Sequence, residues 1–174
     1  MGSSTAELAD NSGPLDKRLV SKNWSVRANA YEELTTMSKN AQRGSKAEFF
    51  REHSGSWKEY LKDSNPGSLE KALVCLEAFL DKVNKNIILE HQNGIILMLV
   101  EKCIGHAKPV IKQKGIDCLL LMFEVSENFE DSVECLCELA AHKNIKVMTC
   151  GTTAVASLLE AFGHKKMRIP DYAE

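Results

Sequence analysis

The sequence predicts an all-α protein, a solenoid of about four antiparallel helix pairs. Three observations support this prediction. Apolar residues recur at helical spacing along most of the chain, no stretch of comparable length alternates in the manner of a strand, and the four prolines lie close to expected helix ends. With 174 residues, 44% of them hydrophobic, the chain is long enough to form one domain with a sizeable core.

The first helix pair is predicted at 15–21 and 24–39, with Asn23 as the N-cap of the second helix. The apolar face of that helix consists of Val26, Ala30, Leu34 and Met37. Trp24 lies roughly 120° from the centre of this face, so its ring is predicted to point away from the core. The alternative is that Trp24 is packed or stapled against its neighbours, as tryptophans near helix starts often are.

The second pair is predicted at 46–62 and 66–83. Pro66 suits the first helical position, with Asn65 or Ser64 as the cap. The helix that follows carries the most regular apolar stripe of the chain, formed by Leu69, Leu73, Leu76, Leu80 and Val83.

The third and fourth pairs are predicted at 87–104 with 109–125 and at 130–141 with 145–162. The segments around Ile95 and Ile116 are apolar nearly all round, as expected where a repeat is stacked on both sides. Residues 14–164 therefore form the predicted domain, with a disordered leader at 1–13 and a tail at 165–174.

Each predicted pair turns over at a short polar segment, and these segments recur about every 40 residues, which is typical of HEAT-type repeats. Equivalent turns of stacked repeats lie along one edge, so the four segments are predicted to form a single edge. Its candidate binding residues are Lys22, Trp24, Arg27, Asp63, Ser64, Asn65, Lys108, Lys112, Lys143 and Lys146. An aromatic ring beside positive charge is typical of a protein-interface hot spot, and the later lysines would steer an acidic partner. The alternative for Ser64 and Asn65 is helix capping alone.

Composition and motifs exclude several other functions. A net charge of −2 gives no indication of nucleic-acid binding, and no apolar run is expected to span a membrane. The six cysteines form no CxxC pair and are predicted to be buried free thiols in a reducing compartment rather than a metal site. No phosphate loop, GxSxG or HExxH motif is present, and the five histidines are scattered. The sequence therefore predicts a protein that is not an enzyme and has no metal or cofactor.

At these same residues the chain resembles a known family. The stretch KNWSVRANAYEEL at 22–34 is similar to the first turn and second helix of TOG domains, the tubulin-binding modules of microtubule polymerases. DSN at 63–65, KPVIKQKGIDCLL at 108–120, HKNIKV at 142–147 and EAFG at 160–163 resemble later parts of the same domain, in the right order and at the right spacing. The likeness covers 14–164 and is greatest to the N-terminal TOG domain of the polymerases.

The resemblance implies a flat helical slab whose turn edge binds one curved αβ-tubulin heterodimer and contributes to microtubule growth at plus ends. It implies that Trp24 is the anchor on β-tubulin, that Asn65 adds a polar contact, and that Lys108, Lys143 and Lys146 contact α-tubulin. The implied location is the cytoplasm, at microtubules, the spindle and the microtubule-organising centre.

The family pattern continues for two further helix pairs, including a fifth basic turn, that have no counterpart in this sequence. We therefore expect weaker tubulin binding than for a longer domain, and self-association through the uncapped last pair. The alternative function is a HEAT-type scaffold for a partner other than tubulin.

Overall fold

The structure, a computed structural model, describes residues 11–125 and 130–167, except for the side chains of residues 130, 131 and 164–167. The predicted leader and tail therefore lie mostly outside the described residues, and the domain bounds remain a prediction. The described part of the chain is helical, with one isolated bridge between Ser45 and Val83. The helices are α1 (Leu15–Leu19), α2 (Trp24–Asn40), α3 (Glu48–Ser54), α4 (Trp57–Tyr60), α5 (Pro66–Lys82), α6 (Lys85–Leu89), α7 (Gln92–Met98), α8 (Pro109–Val125), α9 (Glu130–Ala140) and α10 (Ile145–Met167).

The helices stack as the predicted solenoid of four pairs. The second helices of the pairs, α2, α5, α8 and α10, follow one another in space, since α2 packs on α5, α5 on α8 and α8 on α10. Their starts define one edge of the slab and their C-terminal ends define the other. At this far edge the loop 41–47 is pinned to α5, because Ser45 N donates to Lys82 O at 2.9 Å and Asn84 N donates to Ser45 O at 2.9 Å.

The first helices of the pairs are more broken than predicted. The helix expected over 46–62 is divided into α3 and α4 at Gly55 and Ser56, two residues of modest helix propensity. The helix expected over 87–104 consists of α6, α7 and a π-helical segment, Leu99–Ile104. Gly115 of α8 lies so close to this segment that a side-chain Cβ would stand 2.7 Å from the Cβ of Cys103. This close approach allows α8 to pack against the π-helical segment.

The core contains the predicted apolar faces. The stripe of α5 is buried throughout, and Val26, Ala30 and Leu34 of α2 are fully enclosed, with Met37 half-buried. An edge-to-face aromatic cluster of Phe50, Trp57 and Phe79 joins α3 and α4 to α5 within the second pair. All six cysteines are free, as predicted, although Cys135 and Cys137 are only half-buried.

The last helix qualifies one sequence expectation. Ile145–Gly163 is the one stretch in the described residues that is long and apolar enough, by length and composition alone, to cross a membrane. In the fold it packs along α9, with Ala154 and Leu158 fully buried. Only 22% of the stretch is buried, so much of α10 faces outward.

Candidate protein-binding edge

Four turns link the two helices of each pair, and all four use the same hydrogen-bond arrangement. We name them turn 1 (21–24), turn 2 (63–66), turn 3 (106–109) and turn 4 (142–145), and together the turn edge. In each turn a side chain accepts a hydrogen bond from the backbone N–H two residues later. The acceptors are Ser21 Oγ, Asp63 Oδ1, His106 Nδ1 and His142 Nδ1, at 3.2, 2.9, 3.0 and 3.0 Å.

In turns 1, 2 and 4 the residue whose N–H donates this hydrogen bond is an asparagine, and its side chain caps the following helix. Asn23 Oδ1 accepts from Ser25 N at 3.0 Å, and Asn144 Oδ1 accepts from Lys146 N at 2.9 Å. Asn65 Oδ1 accepts from Gly67 N and Ser68 N, so Asn65 rather than Ser64 is the cap of α5. Lys108 takes this position in turn 3. The repeated arrangement fixes the course of the chain at each helix start.

The turns are neighbours, which confirms the predicted single edge. Arg27, just after turn 1, forms an ion pair with Asp63 of turn 2. Turns 2 and 3 line a common cavity of about 510 Å³ that includes Ser64 and His106. Beside turn 3, a Cβ on Gly105 would stand 3.6 Å from Lys146 Cε, just after turn 4.

Trp24 projects from the start of this edge, as its helical position predicts. Its residue surface is 50% exposed, whereas Trp57, the other tryptophan, is fully buried. Asn23 caps α2 immediately before it, so the ring stands at the first helical position. The ring is therefore not enclosed in the core, and the half of it that is covered lies beside the start of α5.

Five predicted lysines of the turn edge are exposed: Lys22, Lys108, Lys112, Lys143 and Lys146. Four of them belong to turns 3 and 4 or to the first residues of the helices that follow. Exposed cations on one side of an edge favour encounters with an acidic surface, and they are screened by salt.

Two predicted contact residues instead face each other inside the fold. The side chain of Asp63 is 1% exposed and that of Arg27 is 16% exposed. Burial acts to raise the pKa of Asp63, but hydrogen bonds from Arg27, Ser68 and Asn65 outweigh it and hold the pKa below its ordinary value. An enclosed, fully paired carboxylate has little surface to offer a partner. The prediction of Asp63 as a contact residue is therefore corrected to an internal role.

The sequence predicted one exposed apolar residue at this edge, Trp24, and four others were missed. Five large hydrophobic side chains are exposed in the described part of the chain, and all lie at or beside the turn edge: Val20, Trp24, Val110, Ile145 and Met148. Except for Val20, each lies in the first turn of α2, α8 or α10. An apolar residue in the first helical turn, directly after a polar turn of the chain, is the sequence pattern that could have predicted this exposure. An apolar set rimmed by lysines has the composition of a protein-binding surface.

Known proteins are similar to this chain in sequence and in fold. Residues 10–173 match the family model described as XMAP215/Dis1/CLASP, TOG domain. The chain belongs to the TOG domain family.

Relatives of this TOG domain are much longer proteins. It is 34% identical over 158 residues to Centrosomal protein 224 of Dictyostelium discoideum, 29% over 163 residues to Spindle pole body component alp14 of Schizosaccharomyces pombe, and 28% over 152 residues to Protein mini spindles of Drosophila melanogaster. These matches cover 91%, 90% and 87% of this chain. The chain spans only 8%, 20% and 7% of the lengths of those relatives.

A solved structure confirms the fold. It belongs to work described as the structural basis of tubulin recruitment and assembly by microtubule polymerases with TOG domain arrays. The match has a TM-score of 0.74 at 22% identity and covers 85% of this chain and 31% of that one. The predicted HEAT-type solenoid is therefore the fold of this TOG domain.

Two further observations concern metal ligands and thiol reactivity. No group of His, Cys, Asp or Glu that could hold a metal ion occurs among them. Burial raises the pKa values of Cys75 and Cys103 to about 12, which keeps both thiols protonated at neutral pH.

Proposed function

We propose that this TOG domain binds the curved αβ-tubulin heterodimer through the turn edge and contributes to microtubule polymerisation. The observation that carries the proposal is the distribution of exposed apolar residues. In the described part of the chain, every exposed large hydrophobic side chain lies along one edge, together with five exposed lysines. A solved neighbour described in terms of tubulin recruitment supports tubulin as the partner.

The proposed contacts follow from exposure and chemistry. Trp24 is the anchor, because a half-exposed indole can bury a large apolar area against a partner. Ser64 and Asn65 add polar contacts from turn 2, and Lys22 flanks the ring. The remaining lysines provide attraction to an acidic surface: Lys108, Lys112, Lys143 and Lys146. Arg27 and Asp63 are assigned to the support of these contacts instead.

The role that follows is that of a binding module without catalysis, metal, cofactor, nucleic acid or membrane partner. Preference for curved tubulin would let a parent protein capture free heterodimers and release them into the lattice. The relatives named for the centrosome, the spindle pole body and mini spindles support a location at cytoplasmic microtubules.

The test is size-exclusion chromatography of the chain with unpolymerised tubulin. The unaltered chain is expected to co-elute with tubulin. Trp24→Ala is expected to weaken binding by about 2 kcal/mol, roughly thirtyfold, with unchanged helical content. Lys39→Ala, an exposed change near the far edge, is the matched control and should bind as the unaltered chain does.

Two outcomes would contradict the proposal. Equal binding by the unaltered chain and Trp24→Ala would remove the anchor role. Absence of a tubulin complex at all, with stable binding of a different protein, would favour the HEAT-type scaffold.

Self-association is a second candidate, favoured by two exposed apolar residues at the start of α10 that also belong to the turn edge. Ile145 is 74% exposed and Met148 is 37% exposed on this last helix. A second copy packing on this part of α10 would bury both. Light scattering should then show dimers of the chain that Ile145→Ser converts to monomers, and a monomeric unaltered chain would exclude this candidate.

A further inference from the structure

Turns 1 and 2 are linked by a bidentate ion pair between Arg27 and Asp63, and we call this contact the joint. Arg27 Nε donates to Asp63 Oδ2 at 2.6 Å and Arg27 Nη2 donates to Asp63 Oδ1 at 2.7 Å. Paired, parallel hydrogen bonds of this kind fix both distance and orientation. The pair therefore sets how the start of α2 is placed against the turn that precedes α5.

The same two side chains also hold the backbone of both turns. Arg27 Nη1 donates to the carbonyl oxygens of Ser21 and Lys22, at 2.7 and 3.2 Å. Asp63 accepts from Asn65 N at 2.9 Å and from Ser68 Oγ at 2.6 Å. One ion pair thus closes turn 1, closes turn 2 and joins the two turns.

The exposed indole lies across this joint. Trp24 precedes Arg27 by three residues on α2, and its Cζ3 atom lies 3.8 Å from the position that a Cβ on Gly67 would occupy. The ring is therefore placed beside the start of α5, in the repeat that follows its own. Its position relative to turn 2 depends on the geometry of the joint.

The equivalent positions of later turns do not repeat the pair. Counted from the helix cap, the position of Asp63 is taken by His106 in turn 3 and His142 in turn 4. The position of Arg27 is taken by Leu69, Lys112 and Met148 in the helices after turns 2, 3 and 4. Within the described residues, this buried link between turns occurs beside the exposed tryptophan and not further along the edge.

We propose that Arg27 and Asp63 are positioning residues that hold Trp24 in its binding orientation without touching the partner. The inference rests on the proposed function, in which Trp24 is the anchor on tubulin. A ring held in one orientation loses less side-chain freedom on binding, so the pair increases affinity through preorganisation.

Because Arg27 and Asp63 carry opposite charges, neutralising each in turn distinguishes a positioning role from electrostatic steering. Arg27→Gln removes a positive charge and Asp63→Asn removes a negative one. If the pair acted on an acidic partner by charge alone, the first change would weaken binding and the second would strengthen it. Positioning predicts that both weaken tubulin binding, by roughly fivefold each.

A double-mutant cycle with Trp24→Ala then tests whether the pair acts through the indole. We expect that neither Arg27→Gln nor Asp63→Asn weakens binding further in the Trp24→Ala chain. The same fivefold loss in both backgrounds would overturn the proposal, since the pair would then act independently of the indole. Arg43→Gln is the matched control, because it removes an exposed ion pair with Asp81 at the far edge and should leave affinity unchanged.

A second measurement needs no tubulin. The chain has two tryptophans, so 5-fluorotryptophan labelling gives two fluorine resonances, and Trp24→Phe identifies that of Trp24. Asp63→Asn is expected to shift or broaden the Trp24 resonance and leave that of Trp57 unchanged. An unaltered Trp24 resonance would overturn the positioning role. If the unaltered chain did not bind tubulin, the proposed function would fail while this spectrum would still decide whether the pair orders the ring.

Discussion

The two halves of the turn edge are built from the same turn but are stabilised differently. In turns 1 and 2 the backbone hydrogen bonds are extended by a buried ion pair that joins neighbouring repeats. In turns 3 and 4 the corresponding acceptors are His106 and His142, whose hydrogen bonds stay within their own turns. The exposed indole lies in the first half, and most of the exposed lysines lie in the second.

This difference indicates that the two halves of the edge contribute to binding in different ways. An anchor that fills a pocket needs a fixed orientation, which a bidentate, enclosed pair supplies. Lysines that attract an acidic surface act over about a Debye length and do not need a single geometry. The half with the tryptophan is therefore braced across repeats, while the half with the lysines is held locally.

The largest expected effect is on stability, and it tests the contribution of the ion pair between Arg27 and Asp63. Asp63→Ala should lower the free energy of unfolding by about 3 kcal/mol, because Arg27 remains between the repeats without its partner. His142→Ala, the equivalent change in the second half, should lower it by about 1 kcal/mol or less, since the backbone N–H of Asn144 is exposed and can bond to water. Urea unfolding of both variants measures the difference. Equal losses would contradict the distinction between the halves.

The next effect concerns the lysine-rich half. The combined change Lys108→Gln, Lys143→Gln and Lys146→Gln should reduce tubulin affinity roughly tenfold at low salt, mainly through slower association. The reduction should largely disappear at about 1 M salt, where charges are screened within about 3 Å. Association rates measured across a salt series provide the check. A salt-independent loss would show that these lysines make close contacts instead.

The smallest expected effect is a pH dependence of the first half. The folded state holds the pKa of Asp63 below its ordinary value of 3.8. The stabilisation is complete above that ordinary value and is lost as pH falls through the lower folded value. Thermal melts between about pH 5 and pH 2 should therefore show an acid loss of stability that is reduced in Asp63→Asn. Asp81→Asn, which alters the more exposed pair at the far edge, should reduce it much less.

The sequence predicted the helices and the edge because both depend on local periodicity. The stripe of α5, the caps at Asn23 and Asn65, and the outward position of Trp24 all follow from helical spacing and cap chemistry. The division of the helix at Gly55 and the π-helical segment were missed because they depend on packing between repeats.

The candidate site could be predicted in composition but not in its internal pairing. Arg27 and Asp63 are 36 residues apart, and nothing in either local pattern shows that their side chains meet. Both therefore looked like exposed charges on a binding edge. The exposed apolar residues Val110 and Ile145 were missed for the opposite reason, since apolar residues in a helix are normally assigned to the core.

The central claim is that the turn edge, rather than a helix face or the far edge, is the surface that binds tubulin. Amide hydrogen exchange of the chain with and without unpolymerised tubulin tests it most directly. The account predicts slower exchange in turns 1 to 4 and at the starts of α2, α5, α8 and α10, with no change in the loop 41–47 at the far edge. Protection confined to that loop or to the outer face of α10, with the four turns unchanged, would contradict it.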